Sequence, residues 1–370
     1  MQNKSLIPEG FKDHVDFNTN VEHDFKNKII DIFLTNGFDL VKTPLLEFYQ
    51  KKNDSVFIID SKKKEPRLFL RDDITPQIIR IASSRYKNKI RPIKLCYYGE
   101  VTRKKGSMLR PERQFLQVGS EIIGSDSILA DVEIISLAYK SLKEIGIKNI
   151  TLELTSKIFL EEIIYKIKYK TSLNKLKTII KQKYIKNWLN LIGYKDHKLL
   201  LKHLFNLTGS YKDLDKKIKN IKLPDSLKLE IETIKTISKK IDFKINDQIT
   251  IDFTEIDNKN YHNGIKFTFF AKDVRGEVAS GGRYKIKRNT TEESAVGFTC
   301  FMDTVLRASS FENSKKKILV PFRTDDDTRI KLRKKKYIIY SFLGDTSDIR
   351  FSAKNNLCTH IYENNKIKKI

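Results

Sequence analysis

Residues 101–121 read VTRKKGSMLRPERQFLQVGSE, two alternating runs on either side of a basic loop. In an extended chain alternate side chains share a face, so Tyr97, Gly99, Val101 and Arg103 line one side of the first run. Phe115, Gln117, Gly119 and Glu121 line one side of the second. Joined as a hairpin with coincident faces, the two runs present a guanidinium, an amide and a carboxylate around two glycines that leave room for a ligand. Arginine pairs with a carboxylate and glutamate with an amine or an imidazole N–H, so the arrangement suits a zwitterion. The same pattern also describes a solvated sheet face with a cross-strand ion pair.

Working outward from the hairpin, residues 18–36 place Val21, Phe25, Ile29, Ile32 and Phe33 at helical spacing, with Gly37 positioned to stop the helix. FDLVKTPLLEF reads as a strand broken at Pro44, which suits a sheet edge. RLFLR is a further strand, after which Thr75 and Pro76 supply an N-cap and an N1 residue for a helix carrying Ile78, Ile79, Ala82 and Tyr86. Asp73 and Thr75 therefore sit at a strand-to-helix turn, where a carboxylate receives an ammonium group or supports the cap. Residues 125–146 form a second amphipathic helix, and NITLELT a strand.

From residue 156 the chain turns Lys-rich, with Leu227, Ile231, Ile234, Ile237 and Ile241 at helical spacing after Pro224, as in an inserted helical lobe. Strand signals return in DQITIDF, GIKFTFFAK and GEVASGG. SAVGFTCFMDTVLRAS follows as a strand running into a helix, and ILVPF, KYIIYSF and THIYE are short strands near the end. The pattern predicts an α+β fold in four parts: 1–155 and 246–312 as a core of antiparallel sheet flanked by helices, 156–245 as the helical insertion, and 313–370 as a small α/β appendage.

The net charge of +26 over 370 residues suggests nucleic acid. The excess is mostly lysine rather than arginine clustered with aromatics, so a solvated surface is expected and no specific nucleic-acid partner. No apolar run approaches a membrane span and the start lacks a signal-peptide core, so a cytoplasmic protein is expected. Cys96, Cys300 and Cys358 have no paired spacing, and His262 has no metal partners nearby in sequence, so neither a metal nor a cofactor is expected. ASGGRY offers two glycines for close backbone approach with Arg283 beside them, although a Gly-Gly pair by itself more often marks a bulge or turn.

GFDLVKTPLLE, YYGEVTRKKGSMLRPERQFLQVGSEIIGSD and ASGGRY with SAVGFTCFMDTVLRA together resemble motifs 1, 2 and 3 of class II aminoacyl-tRNA synthetases, the histidyl-tRNA synthetase family in particular. The resemblance covers about residues 10–155 and 246–310, with an insertion where that family also has one. It implies that Asp73 and Thr75 hold the α-amino group of a histidine-like ligand, that Arg103 is the motif 2 arginine, and that Gln117 and Glu121 lie beneath the ligand. Tyr261 and His262 fall where that family has a tyrosine pair beside the imidazole.

Three positions depart from the family. Lys105 stands where motif 2 carries an acid, Thr304 where motif 3 carries a phosphate-binding arginine, and Asp257 where the family's own signature carries a catalytic arginine. Losing two cations aimed at developing phosphate charge would slow adenylation by roughly 10²–10³ each, so no catalytic residue is expected. With these departures and a tail too short for an anticodon-binding domain, the chain resembles the regulatory subunits of ATP phosphoribosyltransferase. That resemblance implies a non-enzymatic subunit that dimerises through the motif 1 region and pairs with a short catalytic ATP phosphoribosyltransferase subunit. Together they would perform the first step of histidine biosynthesis, with histidine as allosteric effector. A divergent histidyl-tRNA synthetase and a synthetase-like RNA-binding protein are the alternatives.

Overall fold

The computed structural model describes residues 6–49, 55–59, 66–156, 175, 178, 179, 182, 185–191, 195–219, 221–241, 249–255, 262–288, 291–309, 316–344 and 349–370. The chain divides into two compact units, Met1–Ser310 and Phe311–Ile370.

The larger unit begins with helix α1 (Asp16–Thr35), which buries Val21, Phe25, Ile29 and Phe33. It stops at Gly37, whose φ of 82° lets the Phe38 N–H reach back to Phe33 O. Strands β1 (Asp39–Val41), β2 (Leu46–Phe48), β3 (Phe57–Ile59) and β4 (Leu68–Leu70) precede helix α2 (Thr75–Ser83). The hairpin follows as β5 (Ile93–Thr102) and β6 (Gln114–Ile123), then α3 (Ile128–Glu144) and β7 (Ile150–Thr155). The Lys-rich region contains α4 (Ile185–Leu191), α5 (Lys195–Leu207), β8 (Gly209–Ser210), α6 (Leu214–Ile218) and α7 (Asp225–Lys240). Leu227, Ile231, Ile234 and Ile237 form the buried stripe of α7. The unit closes with β9 (Ile249–Asp252), β10 (His262–Ala271), β11 (Ala279–Arg288), β12 (Thr291–Phe301) and α8 (Met302–Ala308).

Among the described residues nine strands form one sheet in the order β1-β5-β6-β12-β11-β10-β7-β9-β8. Its centre is antiparallel, as expected, but β1 runs parallel to β5 and β7 parallel to β9. Both parallel pairs join strands separated by long crossovers, the only connection that brings strands together in that sense. A separate small sheet has the order β2-β4-β3.

Register decides which face holds the site. Gly99 lies opposite Gln117, Tyr97 opposite Gly119, and Glu121 opposite both Leu95 and Gly297. The two faces of the hairpin therefore coincide and continue across β12 into β11, where Gly282 pairs with Gly297. On this face Ile78 of α2 and Ile74 just before it pack against Leu95, Tyr97, Val101 and Phe115. On the opposite face Phe33 of α1 meets Phe298 edge-on, with ring centroids 5.6 Å apart.

The smaller unit has β13 (Lys317–Pro321), α9 (Asp326–Lys334), β14 (Ile338–Phe342), α10 (Ile349–Asn355), β15 (His360–Glu363) and β16 (Lys366–Lys369), its sheet ordered β14-β13-β15-β16. Ile318, Val320 and Leu332 fill one side, and Leu319, Phe342, Ile349, Ala353 and Ile361 the other. The Asp325 carboxylate caps α9 by accepting from Thr328 N at 2.8 Å.

Candidate functional site

A cavity of about 520 Å³ opens on the hairpin face. Five of the residues singled out from sequence line it together, namely Asp73, Thr75, Arg103, Gln117 and Glu121. Tyr261 lies outside the described residues, as does Asp257, while His262 opens β10 opposite Tyr284.

Glu121 is the floor of the site, and its side chain is 2% exposed. Its hydrogen-bond donors are neutral hydroxyls: Thr75 Oγ1 donates at 3.1 Å, Tyr284 OH at 2.9 Å and Tyr97 OH at 3.5 Å. Burial pushes its pKa up to about 8, the hydroxyls pull against that rise, and nearby Asp73 adds to it. At neutral pH the carboxyl therefore holds its proton. Tyr97 is also driven well above its usual value, by burial first and then by Glu121 and Asp73. Tyr97 OH and Thr299 Oγ1 lie 2.8 Å apart, extending the network to β12.

Thr75 does not cap α2 as expected. The helix begins at Thr75 itself, with Ile74 in the cap position, and the hydroxyl is used by Glu121 and Tyr97. Asp73 takes over part of the capping, its Oδ1 accepting from Thr75 N at 3.3 Å. Gln117 Oε1 accepts from Ile74 N at 3.2 Å, which ties β6 to the start of the helix.

The two hairpin glycines do not leave room for a ligand. The space over Gly99 is filled by the Arg71 guanidinium, and that over Gly119 by the Tyr97 ring. Arg71 is held there by Glu100 O at 2.8 Å, Thr43 Oγ1 at 2.7 Å and Gln77 Oε1 at 3.2 Å. ASGGRY is not a turn but the first six residues of β11, in unbroken register with β12, with both glycines lining the cavity; the register irregularity alongside it falls on β10, between His262 and Lys266. Arg283 points away from the cavity. On the other face it binds Asp131 of α3 at 2.5 Å, with Ser125 O at 2.6 Å and Ser127 O at 2.9 Å.

The cavity wall also includes Ser55, Asp72, Lys105, Tyr284, Gly297, Thr299 and Phe301. Arg103 stacks over Phe115 with the guanidinium carbon 4.8 Å from the ring centre, and Arg110 over Phe301 at 3.9 Å. Thr304 is not part of the cavity lining; it is fully buried, with its hydroxyl 3.5 Å from Asp303 Oδ2. Arg110 is paired with Glu277 at 2.6 Å. Among the described residues no group of three or more His, Cys, Asp or Glu side chains is placed to hold a metal ion. None of their helices is long and apolar enough to cross a membrane.

This sheet, with a polar cavity floored by a buried carboxyl, is that of a class II synthetase-like protein, and the histidyl-tRNA synthetase family model matches residues 10–305. Two solved structures share the fold. An ATP phosphoribosyltransferase regulatory subunit/histidyl-tRNA synthetase from Bacillus halodurans has a TM-score of 0.78 at 19% identity, covering 96% of this chain and 97% of that one. The histidyl-tRNA synthetase from Nostoc sp. has a TM-score of 0.76 at 15% identity, covering 97% and 91%. The chain belongs to the family of ATP phosphoribosyltransferase regulatory subunits. It is 30% identical to the regulatory subunit of Clostridium botulinum over 94% of this chain and 89% of that protein. It is 29% identical to that of Paramagnetospirillum magneticum over 97% and 96%.

Proposed function

We propose that the chain is a non-catalytic, histidine-sensing subunit that assembles in the cytoplasm with a short catalytic phosphoribosyltransferase subunit. The observation that carries this reading is the cavity itself. Asp73, Thr75, Arg103, Gln117 and Glu121 all line it, a set of groups that suits a zwitterion, while Lys105 and Thr304 stand, by the resemblance in motifs 2 and 3, where a synthetase carries an acid and a phosphate-binding arginine. Histidine in this pocket shifts the hetero-oligomer between active and inhibited arrangements by its differential affinity for them.

Residues 1–155 and 246–312 serve as the synthetase-like core in this reading, 156–245 as its insertion and 313–370 as an appended unit. The small sheet of β2, β3 and β4 supports a homodimer through the motif 1 region, because Leu46, Phe48 and Ile59 are exposed on it and their register places them on one face.

Co-expression with a short catalytic subunit tests the proposal. A stable complex is expected, whose phosphoribosyl transfer needs both chains and is inhibited by histidine. Histidine-dependent pyrophosphate exchange by the purified chain alone would sink it.

A further inference from the structure

We propose that Lys105 is the second cation of a carboxylate clamp with Arg103, which makes the cavity selective for a free α-amino acid over analogues whose carboxylate is reduced or blocked. This rests on the reading that the cavity binds a histidine-like amino acid.

The two cations stand two residues apart just beyond β5 and line the same cavity. The backbone that carries them is fixed on both sides. Arg103 N donates to Arg113 O at 2.7 Å, Lys104 N to Ser55 O at 2.9 Å, and Ser107 N to Arg110 O at 2.7 Å. Gly106 fits the turn only because it lacks a Cβ, which would collide with the backbone of Pro111. Lys105 is exposed at the cavity mouth, where a flexible, hydrated ammonium suits a ligand arriving from water, and the planar Arg103 is stacked on Phe115.

Charge balance gives Lys105 its role. The other ionisable groups of the lining are Asp72, Asp73, Glu121 and Tyr284, the last a phenol that donates its proton to the Glu121 carboxyl in a hydrogen bond. With Glu121 protonated, two aspartates face two cations. Remove Lys105 and the lining becomes net negative, so that a ligand carboxylate is repelled.

Calorimetry on the full-length chain with L-histidine, L-histidinol and L-histidinamide provides the test. Wild type is expected to prefer histidine to both analogues. Lys105→Gln should weaken histidine by about ten-fold, the effect of losing one charged hydrogen bond, without weakening the cationic histidinol, and Lys105→Arg should restore the preference. Equal weakening of histidine and histidinol, or no weakening of either, overturns the clamp while leaving a histidine site standing. No histidine binding by wild type overturns both.

Discussion

Gly297 on β12 faces Glu121 on β6 so closely that a Cβ on the glycine would overlap the Glu121 carboxyl. The site is therefore built on the absence of a side chain in one strand as much as on the acid in the next. Gly297→Ala is expected to push Glu121 off its three hydroxyl partners, destabilise the fold by about 2 kcal/mol through overpacking and lower histidine affinity. Urea unfolding and calorimetry on the same variant check both effects.

Glu121 also gives the fold a pH dependence. Its folded pKa of about 8 lies above the ordinary value of 4.5, so between those values the folded chain binds a proton that the unfolded chain has released. Stability accordingly falls as pH rises through that window, and the contribution is intact only below it. Glu121→Gln should flatten this part of the profile, measured as urea midpoints from about pH 5 to pH 8.

The same carboxyl and Asp73 are expected to contact the ligand. Asp73→Asn should weaken histidine binding by about ten-fold or more, Glu121→Gln, which replaces a neutral acid by a neutral amide, by less, and both should relieve histidine inhibition of the assembled complex. Unchanged inhibition in both variants would place the effector elsewhere.

Arg283 provides a contrast, since it lies near the site in sequence and on the wrong face in space. Its pair with Asp131 is mostly buried, so Arg283→Leu should cost about 3–5 kcal/mol by leaving Asp131 unpaired. Histidine affinity of the variant, measured well below its melting temperature, should not change.

Phe48 is 65% exposed on the β2-β4-β3 sheet. If that face is the dimer interface, Phe48→Glu should convert a dimer to a monomer in sedimentation velocity while leaving the fold intact by circular dichroism.

Much of this was legible in the sequence because period-two and period-3.6 patterns report burial directly. The hairpin, α1, α3 and the stripe of α7 could be read that way, and the alternation put Gln117 and Glu121 on one face of the second run, with Arg103 joining them only once the two faces of the hairpin coincide. What could not be read was anything that depends on the partner strand. Tyr284 reaches Glu121 only through the β11–β12–β6 register, which no local signal fixes. Gly99 and Gly119 appeared to be empty space because Arg71 arrives from outside the hairpin and the Tyr97 ring folds across from the paired strand. Thr75 had the right residue type and position for a cap, yet Glu121 and Tyr97 recruit its hydroxyl. The strand β16 was missed because KIKK is short and charged.

The two residues of β8, Gly209 and Ser210, pair with Thr250 and Ile251 of β9 at the outer edge of the large sheet. The Lys-rich insertion is thus also an edge guard: it covers backbone groups that would otherwise be a template for another chain's strand. A shortened version of the protein that deletes this stretch would expose the β9 edge as a sticky margin, and aggregation is the expected result.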